Sequence, residues 1–318
     1  MSEGKWFSDL GANTPLAEAA RCVLTTRFEI VGKYLDSVAK AANEDPEDIH
    51  QLRVSSRRAT AGLDLFAACF TSKIQNKAKK ELKRLRRAAG AARDWDVFLH
   101  SLRMRAVPRP TRNALDLVTG YALAQHQSAR AQLHSAAQEY SEGFAEFRNY
   151  VIEAIGRHKN QVKLQTLSHL PVTVLFPLVR ALDEAAGRDL SDADNLHKVR
   201  IAGKRLRYAM EILAGCFLPA FREKLYPAIE TMQEILGRAN DSRFAISRLE
   251  ELRDQINQSR PTNWKSMHKA LVHFIVDRQN RLTRERRAFE RWYRTWKKSG
   301  GEPAFAALLH NQRSASSA

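Results

Sequence analysis

Residues 50–94 and 197–241 of the chain are one segment written twice. At an offset of 147 residues they align without a gap, and ten of the 45 positions are identical: His50/His197, Arg53/Arg200, Arg58/Arg205, Ala67/Ala214, Cys69/Cys216, Phe70/Phe217, Lys77/Lys224, Gly90/Gly237, Ala92/Ala239 and Asp94/Asp241. Chance gives about three. Conservative pairs such as Val54/Ile201, Arg57/Lys204, Asp64/Glu211 and Leu65/Ile212 extend the match. A duplication of this kind restricts the fold to architectures in which a unit of about 150 residues, large enough for its own core, packs against a copy of itself. The expected organisation is a first repeat over 1–157, a second over 158–300, and a flexible tail over 301–318.

The repeated unit is helical. Apolar residues recur at spacings of three and four, and no stretch alternates with period two. Gly and Pro number only 14 and 10 in 318 residues, and neither Asn-Gly nor Asp-Gly occurs, so the hairpin turns of an all-β fold have no residues to make them. The periodicity predicts helices at about 14–42, 46–70, 73–91, 94–105, 111–157, 168–187, 192–215, 219–237, 240–257 and 262–298. Asp45 before Pro46 and Asp48 suits an N-cap, a first-turn proline and a carboxylate at the positive helix end, and Ser191 with Asp194 is expected to serve the second copy in the same way.

On a helical wheel started at His50, Arg53, Arg57 and Arg58 fall within about 80° of it, while Leu52, Ala59, Leu63 and Phe66 lie at about 160–220°. The copy behaves alike: His197, Arg200, Lys204, Arg205, Arg207 and Tyr208 share one side, and Val199, Leu206, Met210 and Leu213 the other. Each repeat therefore turns an apolar face to a core and a cationic face elsewhere. Two further basic stripes follow a three-four spacing, Lys73, Lys77, Lys80, Arg84 and Arg87 on one helix, and Arg284, Arg287, Arg291, Arg294 and Lys298 with Arg281 a turn earlier on another. Like charges stacked this way repel, and an external line of anions offsets the repulsion, because guanidinium forks bind phosphate oxygens in pairs.

Composition agrees with such a partner. The formal charge is +17, which favours polyanions. The longest apolar run, LPVTVLFPLV, is too short and too interrupted to span a bilayer, so no membrane role is expected. Three scattered cysteines, Cys22, Cys69 and Cys216, suit neither a disulfide framework nor a zinc site. Cys69 and Cys216 read as small core residues, and Asp94 and Asp241 as caps or holders of an arginine. With no secretory signal in MSEGKWFSDL, a cytoplasmic place is expected.

HQLRVSSRRATAGLDLF and LHKVRIAGKRLRYAMEIL resemble the paired His-x-x-Arg helices of the CHAD family, the conserved histidine α-helical domain, and the segments ending GAARD and GRAND resemble its Gly-containing turns closing on Asp. The resemblance runs from about Leu16 to Lys298. It implies an all-α fold of two duplicated antiparallel helix bundles, related by a pseudo-two-fold axis around a basic central groove or cavity, that binds inorganic polyphosphate, often at polyphosphate granules. Carried onto this sequence, it places His50, Arg53, Arg57 and Arg58 on one wall and His197, Arg200, Lys204, Arg205, Arg207 and Tyr208 on the other. Lys77, Lys80, Arg84, Arg87 and Arg281 are candidate contacts from the basic stripes. Thr60 and Ala61 stand where the second copy has Arg207 and Tyr208, so the walls are expected to contribute unequally.

The expected function is non-catalytic polyphosphate binding with no cofactor and no metal. A nucleic-acid binder is the alternative that the same charge permits, although no helix-turn-helix or zinc-finger spacing is present. An enzyme, with a histidine as phospho-acceptor or as acid/base in phosphate hydrolysis, has the least support: there is no P-loop and no carboxylate cluster with metal-ligand spacing.

Overall fold

The computed structural model describes residues 4–7, 9–40, 45–103, 112–157, 165–262, 264–299, 303–305 and 307. The described residues are helical throughout, with one isolated antiparallel bridge between Pro15 and Thr166. The helices are α1 (Leu16–Ala39), α2 (Pro46–Leu65), α3 (Ser72–Arg103), α4 (Arg112–Ser141), α5 (Phe144–Glu153), α6 (Phe176–Ala186), α7 (Ala193–Leu213), α8 (Tyr226–Ser259) and α9 (Trp264–Lys298). The helix ends expected at 42, 105 and 111, and the tail expected to be flexible apart from 303–305 and 307, lie outside the described residues.

The segments that match at the 147-residue offset share local backbone features. Asp45 caps α2 by accepting from the Glu47 amide at 2.8 Å, and Asp192, at the same 147-residue offset, caps α7 by accepting from the Asp194 amide at 2.8 Å. The cap is thus one residue later than Ser191, whose hydroxyl instead donates to Asp189. Each helix ends in a short 3-10 turn, Ala67–Cys69 and Ala214–Cys216, and then an extended phenylalanine, Phe70 and Phe217. Both cysteines are buried.

Two expected breaks are absent. GAARD and GRAND lie inside uninterrupted helices, so 73–91 and the described part of 94–105, up to Arg103, both belong to α3, and 240–257 continues the part of 219–237 from Tyr226 onward within α8. A single glycine costs a helix interior about 1 kcal/mol, and Ala88, Ala89, Ala91 and Ala92 around Gly90 restore much of it. The helix expected over 111–157 is in turn divided, at Glu142 and Gly143. Wider turns at Pro171–Leu175 and Phe221–Leu225 precede α6 and α8. Each stands just before a proline, Pro177 or Pro227, whose missing N–H and ring bulk disfavour the ordinary i to i−4 register.

Neighbouring helices pack in chain order, α1 on α2, α2 on α3 and α3 on α4, then α6 on α7, α7 on α8 and α8 on α9. The core faces are those that the wheel gave: Leu52, Ala59, Leu63 and Phe66 on α2, and Val199, Leu206, Met210 and Leu213 on α7, are all fully buried. Each stabilises the fold by roughly 1.5–3 kcal/mol if large. The two halves meet where α2 packs on α7 and α3 on α8. Trp95 of α3 sets its ring edge-on to Phe244 of α8 at 5.6 Å, fixing the second of these contacts.

Candidate functional site

Where α2 meets α7, the polar faces of the two repeats come together. Arg53 and Arg57, one turn apart on α2, lie in the electrostatic field of Arg200 and Lys204, one turn apart on α7 at the same 147-residue offset. Arg207 and Tyr208 follow on α7 one further turn along, and α3 contributes Arg86. The sequence thus builds one cationic cluster from three helices.

Its charges are crowded and short of counter-ions. Burial, followed by the neighbouring Arg53, Arg200 and Arg86, pushes Arg57 down to about 10, with Tyr208 opposing. Burial lowers Arg86, and Arg53 adds to it. Lys204 falls well below the ordinary lysine value, first by burial and then by Arg200, Arg57, Arg53 and Arg207 around it. Two carboxylates offset this from behind. Asp94 on α3 accepts from Arg53 Nη1 at 2.6 Å, and the same nitrogen reaches the Gly90 carbonyl at 3.4 Å. Gly90 lies beside the Arg53 guanidinium, which stands at ordinary contact distance, 3.8 Å, from where a Cβ would be. Arg200 is lowered by burial while Asp241 counteracts, and Asp241 is itself raised by burial, with Arg200 opposing and Asp94 reinforcing. Asp94 therefore holds Arg53, Asp241 lies in the field of Arg200, and neither caps a helix, since each sits inside one.

Two guanidinium nitrogens in this cluster, Nε of Arg53 and of Arg200, are buried without an acceptor among the described residues, whereas Nε of Arg207 lies 3.9 Å from the Glu211 carboxylate. A buried donor left unpaired costs about 1–3 kcal/mol, more when charged. Arg53 and Arg200, at equivalent positions of α2 and α7, thus keep donor capacity that no described residue uses.

The histidines stand at the margins. Burial lowers His50, with Arg93 the largest neighbouring cation and Glu47 opposing. Burial lowers His197 too, followed by Arg200 and Arg243, while a hydrogen bond with Asn240 opposes.

Other expected site residues are placed elsewhere. Arg58 turns inward, away from the cluster: its Nε donates to the fully buried Glu211 at 2.9 Å, beside Arg27. Its repeat partner Arg205 is exposed and lines a small cleft with Asp64, Val174 and Leu178. Lys77, Lys80, Arg84 and Arg87 occupy the outer side of α3. Lys77 lies over the Tyr150 ring at 4.9 Å, and Arg84 over Tyr140 at 5.0 Å. Arg281 is exposed, pairs with Asp277 at 3.6 Å, and lines a 200 Å³ cavity with Asp94, Arg238, Asp241 and Glu285.

Arg86 and Arg93 were not singled out in the sequence. In a run where nearly every turn carries a cation, the regular 73-77-80-84-87 spacing stands out, yet burial follows another face. The available signal was Asp94: Arg86, Gly90 and Asp94 are spaced four apart, so an unbroken helix that lends Asp94 to Arg53 must also present Arg86.

A family model for the CHAD domain matches residues 29–250. The chain belongs to the CHAD family. The crystal structure of the CHAD domain from the plant Ricinus communis superposes with a TM-score of 0.69 at 27% identity, covering 89% of this chain and 93% of that one. PptA from Streptomyces chartreusis shares the fold, with a TM-score of 0.65 at 17% identity over 89% of this chain and 99% of its own. No curated protein matches the sequence significantly. In this CHAD domain the paired His-x-x-Arg helices are α2 and α7, the two that carry the cationic cluster. Among the described residues no helix is long and apolar enough to cross a membrane, and no group of three or more His, Cys, Asp or Glu could hold a metal.

Proposed function

We propose that this CHAD domain binds linear inorganic polyphosphate without turning it over, in a basic groove that two pseudo-symmetric helix bundles form between α2 and α7. The observation that carries the reading is the pair of buried, acceptor-less Nε donors of Arg53 and Arg200, at equivalent positions of the two helices, in a cluster crowded with further cations. A chain of phosphates supplies many anionic oxygens in a row, and a guanidinium fork meets two of them at once. The converging groups are hydrogen-bond donors, and of the nearby carboxylates Asp94 is bonded to Arg53 while Asp241 lies in the field of Arg200. Such a site holds an anion and has no evident base with which to activate water, so binding rather than hydrolysis is the activity it supports. Membership of the CHAD family supports the same ligand, and on this reading we place the protein at cytoplasmic polyphosphate granules.

The test is a titration with polyphosphate at several salt concentrations. By analogy with nucleic acids, neutralising phosphates with six cations, Arg53, Arg57, Arg86, Arg200, Lys204 and Arg207, gives a log-log slope of about −4 to −5. Arg53→Ala with Arg200→Ala makes the slope shallower by about 1.5–2 and weakens binding at every salt. Unchanged affinity in the folded double variant moves the site elsewhere, and a preference for single-stranded DNA over polyphosphate at fixed salt replaces the ligand.

A further inference from the structure

The arginine row of α9 takes no part in the cluster between α2 and α7. Arg284, Arg287, Arg291, Arg294 and Lys298 are all exposed. Of the buried residues of the same helix, Leu271, Phe274, Ile275, Arg278, Phe289 and Trp296 fall within about 60° of one direction on a helical wheel and Ala270 about 100° from it, whereas the row lies at about 140–220° from it. The helix thus seats its apolar side on the protein and turns the row outward. The row advances 14 residues, about 21 Å at 1.5 Å per residue.

Carboxylates that could neutralise the row are engaged by cations outside it. α9 contains three. Asp277 pairs with Arg281 at 3.6 Å, Glu285 with Arg238 of α8 at 3.0 Å, and Glu290 with Arg286 at 3.7 Å. Asp183, across from the end of the helix, pairs with Lys297 at 3.3 Å. Arg294 reaches only a backbone carbonyl, that of Glu290 at 3.4 Å. No ion pair to Arg284, Arg287, Arg291 or Lys298 occurs among the described residues. The result is a single-file line of unneutralised cations, which repel one another along the helix. Its form suits a linear string of charge better than a flat surface, and the large apolar side chains exposed on the same helix, Val272 and Val276, lie two or more turns before the row rather than along it.

We propose that the outer face of α9 is a second polyanion-binding surface, separate from the α2–α7 cluster, so that one molecule holds two polyphosphate strands and bridges them. The identity of the strand rests on the reading of the central site. The bridging rests on the α9 geometry.

Two readouts separate them: affinity for a short polyphosphate by calorimetry, and light scattering on mixing with long-chain polyphosphate. The triple variant Arg284→Ser, Arg287→Ser, Arg291→Ser alters only exposed side chains, and a charge-matched control replaces the exposed Lys40, Arg157 and Arg188 by Ser. The triple variant is expected to keep short-chain affinity within about twofold and to lose at least tenfold in scattering, while the control scatters as the unaltered protein does. Equal scattering by the triple variant and the control overturns the proposal, because net charge then suffices. If the unaltered protein fails to bind short polyphosphate, the central-site reading fails. Scattering that still depends on the α9 row would then uphold the second surface alone.

Discussion

Replacing Glu211 by Gln removes the counter-ion from a buried ion group that ties the halves together. Glu211 of α7 is fully buried. It accepts from Arg58 Nε of α2 at 2.9 Å and from the Tyr226 hydroxyl of α8 at 2.9 Å, and Arg27 Nη2 of α1 lies 3.8 Å away. Arg27 is also fully buried, and burial lowers it to about 10 although Glu211 holds it up. The substitution leaves the buried Arg27 and Arg58 guanidiniums, and Arg207, whose Nε lies 3.9 Å from the same carboxylate, facing a neutral amide. Breaking a buried pair costs about 3–5 kcal/mol, a large part of the roughly 5–15 kcal/mol by which domains are stable. At about 2–4 °C per kcal/mol for chains of 150–250 residues, the thermal midpoint falls by on the order of 8 °C or more.

The assay is thermal unfolding followed by helical circular dichroism, paired with a urea midpoint read at unchanged slope. A loss below about 1 kcal/mol for Glu211→Gln refutes the reasoning, since the pair then contributes no more than an exposed one. Replacing the whole group, Arg27→Met with Arg58→Met and Glu211→Leu, is expected to restore most of the loss, as apolar isosteres often do. Because Arg58 is one residue from Arg57 on α2, the same group sets how far α2 stands from α7. Glu211→Gln is therefore also expected to weaken polyphosphate binding at temperatures where the variant is still folded.

Lys204→Met is expected to act on stability and binding in opposite directions, raising the thermal midpoint of the free protein by the equivalent of about 1–2 kcal/mol while weakening polyphosphate binding, because it takes an uncompensated cation from among Arg200, Arg57, Arg53 and Arg207. A variant that loses both, or neither, contradicts this. His50 and His197 are both lowered in the fold, by burial first and then by Arg93 and Arg200 respectively. The unfolded chain therefore binds more protons: the stability they contribute is present above pH ~6.5 and is lost as pH falls through their depressed folded values. A polyanion favours the imidazolium form, so binding takes up protons, and affinity for long chains is expected to rise from pH 7.5 to 5.5. Titrations that show equal affinity across that range, or the same rise in a His50→Gln, His197→Gln variant, remove the histidines from the linkage.

Much of this was legible in the sequence, because the signals were periodic. The apolar faces of α2 and α7 fell where the wheel put them, and the offset that pairs His50 with His197 also pairs the caps Asp45 and Asp192. The misplaced features were those that local sequence does not decide. Gly90 and Gly237 looked like punctuation, but each sits in a helix of more than 30 residues whose packing outweighs one weak position. On α3 the choice between the Lys77–Arg87 stripe and Arg86 depended on which side α7 occupies, and that is a property of the assembled halves.

Arg58 and Arg205 show why even an identity within a repeat does not fix a role. The offset of 147 residues relates Arg27, Arg58, Glu211 and Tyr226 to Val174, Arg205, Asp64 and Lys79. In the first set the charges are buried around Glu211. In the second, Lys79 pairs with Asp64 at 2.5 Å on the surface, and Arg205 shares an open cleft with Asp64 and Val174. Three differences act together. Glutamate reaches one methylene further than aspartate, Arg27 replaces a valine, and the segment before α1 covers only the first set, where Phe7 lies 5.6 Å from the Arg27 guanidinium. The Leu10 carbonyl packs so closely on Gly215 that a Cβ there would collide with it. Residues outside the duplicated stretch thus decide which of two identical arginines is sealed into the α2–α7 contact. Sealing Arg58 removes one cation from the first repeat's polar face. The cluster must then draw more of its charge from Arg200, Lys204 and Arg207 on α7, and it recruits Arg86 from α3 beside Arg53 and Arg57. An anion lying there meets two unlike walls, and its affinity is expected to fall further when α7 is stripped of its cations than when α2 is.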